Sequence, residues 1–311
     1  MNKQSLKRIL KTAVPLWLVI VIVLDSFMAS ALVSYYLAKK EVNKALVQLS
    51  KTTQSPEELI EVLRQEVLPS TGYNLSVQWG EIGKQLVESG AIDKAKYEEI
   101  FSKGEDGEEE MKYLEGNWDH KMRIDERNSR FMVNTLWALG LANKSKVLDE
   151  MKEQYGEETA NFASTGGWNL SSKPAMEIYS SKEIVKLTSE QQDLVKSISQ
   201  NVYRPCCGNH TAFPDCNHGM AALAYIQLAV KAGVSEDQIY KDVLALNSFW
   251  FPQNYVEVAA YFDKQGQKWN EVDPKLILSA DYSSSQGAQR IKQEIQNLPG
   301  FNVQGGGGCS T

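Results

Sequence analysis

Residues 13–24 read AVPLWLVIVIVL, and after Asp25 and Ser26 the sequence FMASALVSYYLA carries the apolar run to Ala38. In lipid such a run has one stable backbone, a helix, because only there does each peptide group find its hydrogen bond within the segment. Twenty-six helical residues reach about 39 Å, more than the about 30 Å of a hydrocarbon core. The sequence therefore predicts one transmembrane helix over 12–38, a signal anchor that contacts membrane lipid, behind a basic N-terminus at 1–11. Lys3, Lys7, Arg8 and Lys11 stand before it without an acid, whereas Lys39, Lys40 and Lys44 after it are offset by Glu41. The positive-inside bias then places the N-terminus in the cytoplasm and the rest of the chain outside. A cleaved signal peptide is the competing reading, with Ala29-Ser30-Ala31 as the small-x-small cleavage site. The apolar run continues past that site, which favours the anchor, and both readings export the body. Asp25 reads as a helix-interior acid that is neutral or snorkels.

Beyond the anchor, residues 45–300 read as a multi-helix bundle, so the fold class is all-α, with a flexible Gly-rich tail at 301–311. Ser55-Pro56-Glu57-Glu58 supplies a cap, a first-turn proline and acids ahead of LIEVLRQEVL, and Thr188, Ser235 and Asp273 precede further helical runs. Helices are expected at 77–89, 93–103, 107–115, 125–142, 145–155, 188–200, 217–232, 235–248, 254–264, 273–280 and 285–297, with no long alternating strand pattern. FMVNTLWALGLA (131–142) and GMAALAYIQLAVKAG (219–233) are apolar on nearly every face, which marks them as the central helices. The chain's net charge of −6 divides into +5 over residues 1–44 and −11 over the rest. An acidic body excludes phosphate-backbone binding, so no nucleic-acid partner is expected. The acidic turn GEDGEEE (104–110) fits no EF-hand spacing and reads as solvated surface.

The chain has four cysteines and three histidines, and five of these seven lie within thirteen residues: Cys206, Cys207, His210, Cys216 and His218. Pro205 and Gly208 bracket the vicinal cysteines in a turn, and Pro214-Asp215 leads into the apolar helix, so Cys216 and His218 fall in its first turn. A thiolate there gains from the helix dipole. Sulfur with imidazole suits copper or zinc rather than calcium or magnesium, and these five residues are the expected metal ligands. Met220 on the same helix is a weak axial thioether or ordinary packing.

Two alternatives remain open at this stage. The site is a metal-dependent or thiol-redox enzyme in which Asp215 acts as acid, base or orienter. Otherwise the cysteines are disulfides of an interaction domain that meets a protein partner, with Cys206 or Cys207 joined to Cys216 and the other to Cys309. Arg204 stabilises a thiolate or carboxylate, or covers surface; His120 is a distant ligand or a solvent-facing loop residue; and Ser164-Thr165-Gly166-Gly167-Trp168 is a pocket wall or a turn anchored by tryptophan. The sequons at Asn74, Asn143, Asn169 and Asn209 matter only in a glycosylating pathway. CxxC, CxxCH, HExxH, P-loop and GxSxG signatures are all missing.

Overall fold

A computed structural model describes residues 16–51, 55–103, 107–116 and 118–301 of the chain. It is mostly helical, 64% helix and 6% strand. Two units separate, residues 1–55 and 56–311. The first contains one long helix, α1 (Leu16–Lys51). Its segment Leu18–Lys40 is long and apolar enough to cross a membrane, as a signal sequence also is.

The second unit is built from α2 (Pro56–Val67), β1 (Tyr73–Gly80), α3 (Ile82–Ser89), α4 (Lys94–Phe101), β2 (Trp118–Ile124), α5 (Ser129–Ala142), α6 (Lys146–Tyr155), α7 (Ser189–Ser199), α8 (Asn217–Lys231), α9 (Glu236–Trp250), α10 (Pro252–Lys264) and α11 (Ser285–Ile295), with shorter helical turns between them. At its centre α5 lies against α8, the most extensive helix pair of the molecule. Every residue from Phe131 to Ala142 and from Asn217 to Val230 is buried. All-round apolarity thus has its physical outcome: a helix with no polar stripe must be enclosed by neighbours. The two axes meet closely at Gly140, where an added Cβ would stand 2.2 Å from the Met220 carbonyl oxygen.

The sequence expectation of a helix over 77–89 is corrected. Residues 73–80 form β1, antiparallel to β2, and only 82–89 are helical. In YNLSVQWG, Leu75, Val77 and Trp79 alternate into the core, and from β2 Met122 and Ile124 join them. The period of two therefore wins over helix propensity because one face of the ribbon is buried. His120 sits on β2 with its ring edge-on to Trp118, and it is exposed. The expected helix over 273–280 is also shorter, Pro274–Ile277 followed by a separate turn at Ala280–Ser283.

The anticipated caps form in part. Thr188 makes a reciprocal capping box with Gln191, and Asp273 accepts from the Lys275 amide. Ser235 stands at its helix start without a side-chain hydrogen bond. A buried carboxylate closes the unit: Asp242 on α9 accepts from the Tyr73 hydroxyl (2.9 Å), the Ser76 amide (3.0 Å), Gln238 (2.8 Å) and the Tyr225 hydroxyl. Of the sequons, Asn143 is fully enclosed and its amide bonds Val185 and Gln227 inside the core, so it has no room for a glycan. Cys309 and the basic N-terminal residues lie outside the described residues.

Candidate metal centre

The loop between α7 and α8 is wound around one side chain. Arg204 is fully buried, an uncommon place for a guanidinium and a costly one unless its donors are satisfied. The loop satisfies them: Nε donates to Cys216 Sγ at 2.9 Å, Nη1 to the Asn209 carbonyl at 3.1 Å, and Nη2 to the Phe213 carbonyl at 3.3 Å and to Asp215 Oδ1 at 2.5 Å. Backbone bonds hold the winding in place, Thr211 N to Val202 O and Ala212 N to Ser199 O on one side, Ser285 N to Cys207 O on the other. The turn at Ala163–Gly166 buttresses it, since the Ser164 amide donates to the Asp215 carbonyl while Trp137 on α5 donates to the Ser164 carbonyl. Trp168 at the end of that turn is buried and donates to the Ala91 carbonyl.

Cys216 is the N-cap of α8, and its sulfur accepts from the Gly219 amide. The sequence placed Cys216 and His218 in the first turn behind Pro214-Asp215; Cys216 stands just before that turn, and its sulfur is the cap. Gly219 is required by the guanidinium, because a Cβ there would fall 2.5 Å from Arg204 Cζ and Nη2. Without a side chain at that position, Arg204 lies flat against the first turn.

Around Cys216 the other donors form two sets. Cys206, Cys216 and His218 bring two sulfurs and an imidazole nitrogen within 4.8 Å of one another, and Cys207, Asp215 and Cys216 bring two sulfurs and a carboxylate oxygen equally close. Cys216 belongs to both sets; neither contains Cys206 and Cys207 together. Cys206 Sγ is 3.5 Å from Cys216 Sγ, a hydrogen-bonding distance, and all three thiols are free. Cys206 also packs against the hydrophobic core. His218 is buried, its ring 4.4 Å from that of Phe251 and 5.8 Å from that of Trp250, and its Nδ1 has no hydrogen-bond partner. An enclosed ring nitrogen without a partner is a lone pair or a proton with nothing to meet it.

Charge is unevenly divided among the thiols. Hydrogen bonds from Cys206 and Cys207, and then the Arg204 guanidinium, hold Cys216 well below the usual thiol range despite its burial. The same contacts, to Cys207 and Cys216, together with burial push Cys206 up. Cys207 is lowered by Cys206, but Cys216 and burial outweigh that and push it up to about 11. The two neighbouring thiols, the guanidinium and His218 all favour the charged form at Cys216.

Of the five residues expected to converge, His210 stands apart from both sets. Its ring lies edge-on to Tyr203 at 5.9 Å, and the neighbouring Asn209 carbonyl is drawn to Arg204, which leaves the His210 ring outside the sulfur cluster. Burial, with the charge of Arg204, lowers its pKa. Asp215 joins the second set, but its oxygens already accept from Arg204 and, at 2.8 Å, from Asn209. Met220 is buried where α8 crosses α5.

The described residues thus contain a Cys/His cluster that can hold a metal ion. Comparison with protein-family models, with curated proteins and with solved structures finds no match for the chain.

Proposed function

We propose that the protein is a membrane-anchored metal-binding protein that holds a copper or zinc ion on Cys206, Cys216 and His218. The N-terminal segment serves as a single-pass signal anchor with a cytoplasmic N-terminus, and the helical body lies on the extracytoplasmic side. The observation that carries this reading is the convergence of two sulfurs and one imidazole nitrogen within 4.8 Å, with the imidazole Nδ1 buried and unpaired. Soft sulfur and imidazole donors suit these metals. Elemental analysis of the full chain, purified in detergent under reducing conditions without chelator, should find about one copper or zinc per chain. The Cys216→Ser, His218→Ala double variant should lose it. An ion retained by that variant, or no ion taken up by the wild type, refutes the reading.

One observation favours a second reading as a thiol-redox enzyme: Cys206 and Cys216 are 3.5 Å apart, with Cys216 held below the usual thiol range by its neighbours. Small side-chain rotations bring such a pair to bonding distance, and the thiolate is the reactive form. Intact-mass analysis separates the two. A redox enzyme isolated in air loses two hydrogens reversibly through Cys206 and Cys216, whereas a metal centre retains its thiols and its ion.

A further inference from the structure

The two donor sets differ in depth and share one sulfur. The inner set is Cys206 against the hydrophobic core, His218 against Phe251 and Trp250, and Cys216 on the helix end. The outer set is Cys207 with Asp215, whose side chain is partly exposed, and again Cys216, and none of the three is fully buried. In the outer set the carboxylate also bonds Arg204 and Asn209, and its two sulfurs are the soft donors that meet an arriving ion. In the inner set two sulfurs and a nitrogen converge, with an aromatic wall beside the imidazole and the guanidinium on Cys216. Among the described residues no fourth histidine, cysteine or carboxylate belongs to that group. A structural zinc ion is almost always four-coordinate, whereas monovalent copper is satisfied by two or three soft ligands.

From this geometry we infer that the site takes Cu(I), received on the Cys207–Cys216 pair and passed to Cys206, Cys216 and His218 while Cys216 stays bound throughout. The inference rests on the metal-binding reading above and adds to it the ion and its route. The exchange balances: Cys207 gives its thiol proton to solvent as the ion arrives, the copper–sulfur bond to Cys207 then breaks as the one to Cys206 forms, the proton leaving the Cys206 thiol is taken up by Cys207, His218 adds its nitrogen lone pair, and copper remains monovalent. Cys207 is thus an entry ligand and Cys206 a resting one, which explains why vicinal cysteines fall into separate donor sets.

The test uses the full chain in detergent, with thiols reduced and oxygen excluded. Cu(I) is presented as its coloured bathocuproine disulfonate complex, and its transfer is followed by loss of colour in stopped flow and at equilibrium. Cys206→Ser and His218→Ala should each weaken equilibrium affinity by more than the about 10–100-fold typical of losing an outer-shell partner. Cys207→Ser should change affinity by less than about threefold while slowing transfer by about tenfold or more, because exchange through a sulfur depends on its access. Zn(II) added in equimolar amount should not displace the bound copper. Three results overturn the inference: wild-type transfer rates in Cys207→Ser, an affinity loss in that variant equal to that of Cys206→Ser, or displacement of Cu(I) by Zn(II). A wild-type chain that binds neither ion refutes the metal-binding reading itself, so the two failures are distinct.

Discussion

Gly219→Ala puts two opposed effects on one residue. In a helix, alanine is favoured over glycine by up to about 1 kcal/mol, so propensity alone predicts a more stable protein. The new Cβ, however, would stand 2.5 Å from Arg204 Cζ and Nη2 and 2.8 Å from Nε. The guanidinium cannot yield within its loop, since it is fully buried and its nitrogens bond Cys216, Asn209, Phe213 and Asp215. Displacing it breaks a buried ion pair, at a cost of about 3–5 kcal/mol, and the net loss after the propensity gain is about 2–4 kcal/mol. For a unit of this size that lowers the melting temperature by roughly 5–15 °C. Thermal unfolding of the full chain in detergent, followed by circular dichroism, reads the effect. The decisive comparison is a double-mutant cycle with Arg204→Met, which removes the fork but keeps an apolar stem. On that background Gly219→Ala should be neutral or slightly stabilising. Equal destabilisation on both backgrounds, or none on the wild type, would refute the proposed steric contact.

Gly140→Ala forces α5 from α8 at the Met220 carbonyl and should cost about 1–3 kcal/mol or more, read by denaturant titration; an unchanged midpoint would mean that the helices separate without penalty. Asp242→Ala strips partners from Ser76 N and the Tyr225 hydroxyl and should destabilise by about 2–4 kcal/mol in the same assay. Burial pushes Tyr97 and Tyr255 above the ordinary tyrosine range, and burial followed by the charge of Asp242 does the same to Tyr73 and Tyr225. The unfolded chain therefore releases protons first, and stability should be full below about pH 10 and fall as pH rises beyond it. Phenolate absorbance of these four residues should appear with unfolding rather than before it. The ultraviolet thiolate band of Cys216 should persist below the about pH 8.5 at which a free thiol titrates, and Cys216→Ser should abolish it.

The central helices were legible because α5 and α8 have no polar stripe, a pattern with one physical outcome. The strands were not, for opposite reasons. β1 carries its alternation in Leu75, Val77 and Trp79, yet the following Ile82 and Leu86 continue a helical spacing that blurs where the ribbon ends. β2, reading WDHKMRI, exposes most of its length and buries only Met122 and Ile124. Within the site, clustering in the sequence revealed Cys206, Cys216 and His218, but not that Cys206 and Cys207 fall into different sets. That separation depends on the loop's path around Arg204, which the sequence offered as a partner for a thiolate or carboxylate but not as a fully buried pivot. The available signal was glycine at 219 in the first turn of an otherwise crowded helix, where a small residue leaves room for something large.

The Asp242 carboxylate reaches back 169 residues to the Tyr73 hydroxyl and 166 to the Ser76 amide. Synthesis proceeds from the N-terminus at about 5–20 residues per second, so β1 waits roughly 10–30 s for the side chain that finally fastens it. Loop-closure entropy is also paid before that distant contact contributes anything. In the interval, Leu75, Val77 and Trp79 stand on a strand whose pairing with β2 has only the early helices behind it. The nascent chain is therefore most exposed to aggregation at its beginning, and a truncation before Asp242 should leave that ribbon sticky even with every residue of the Cys/His loop present.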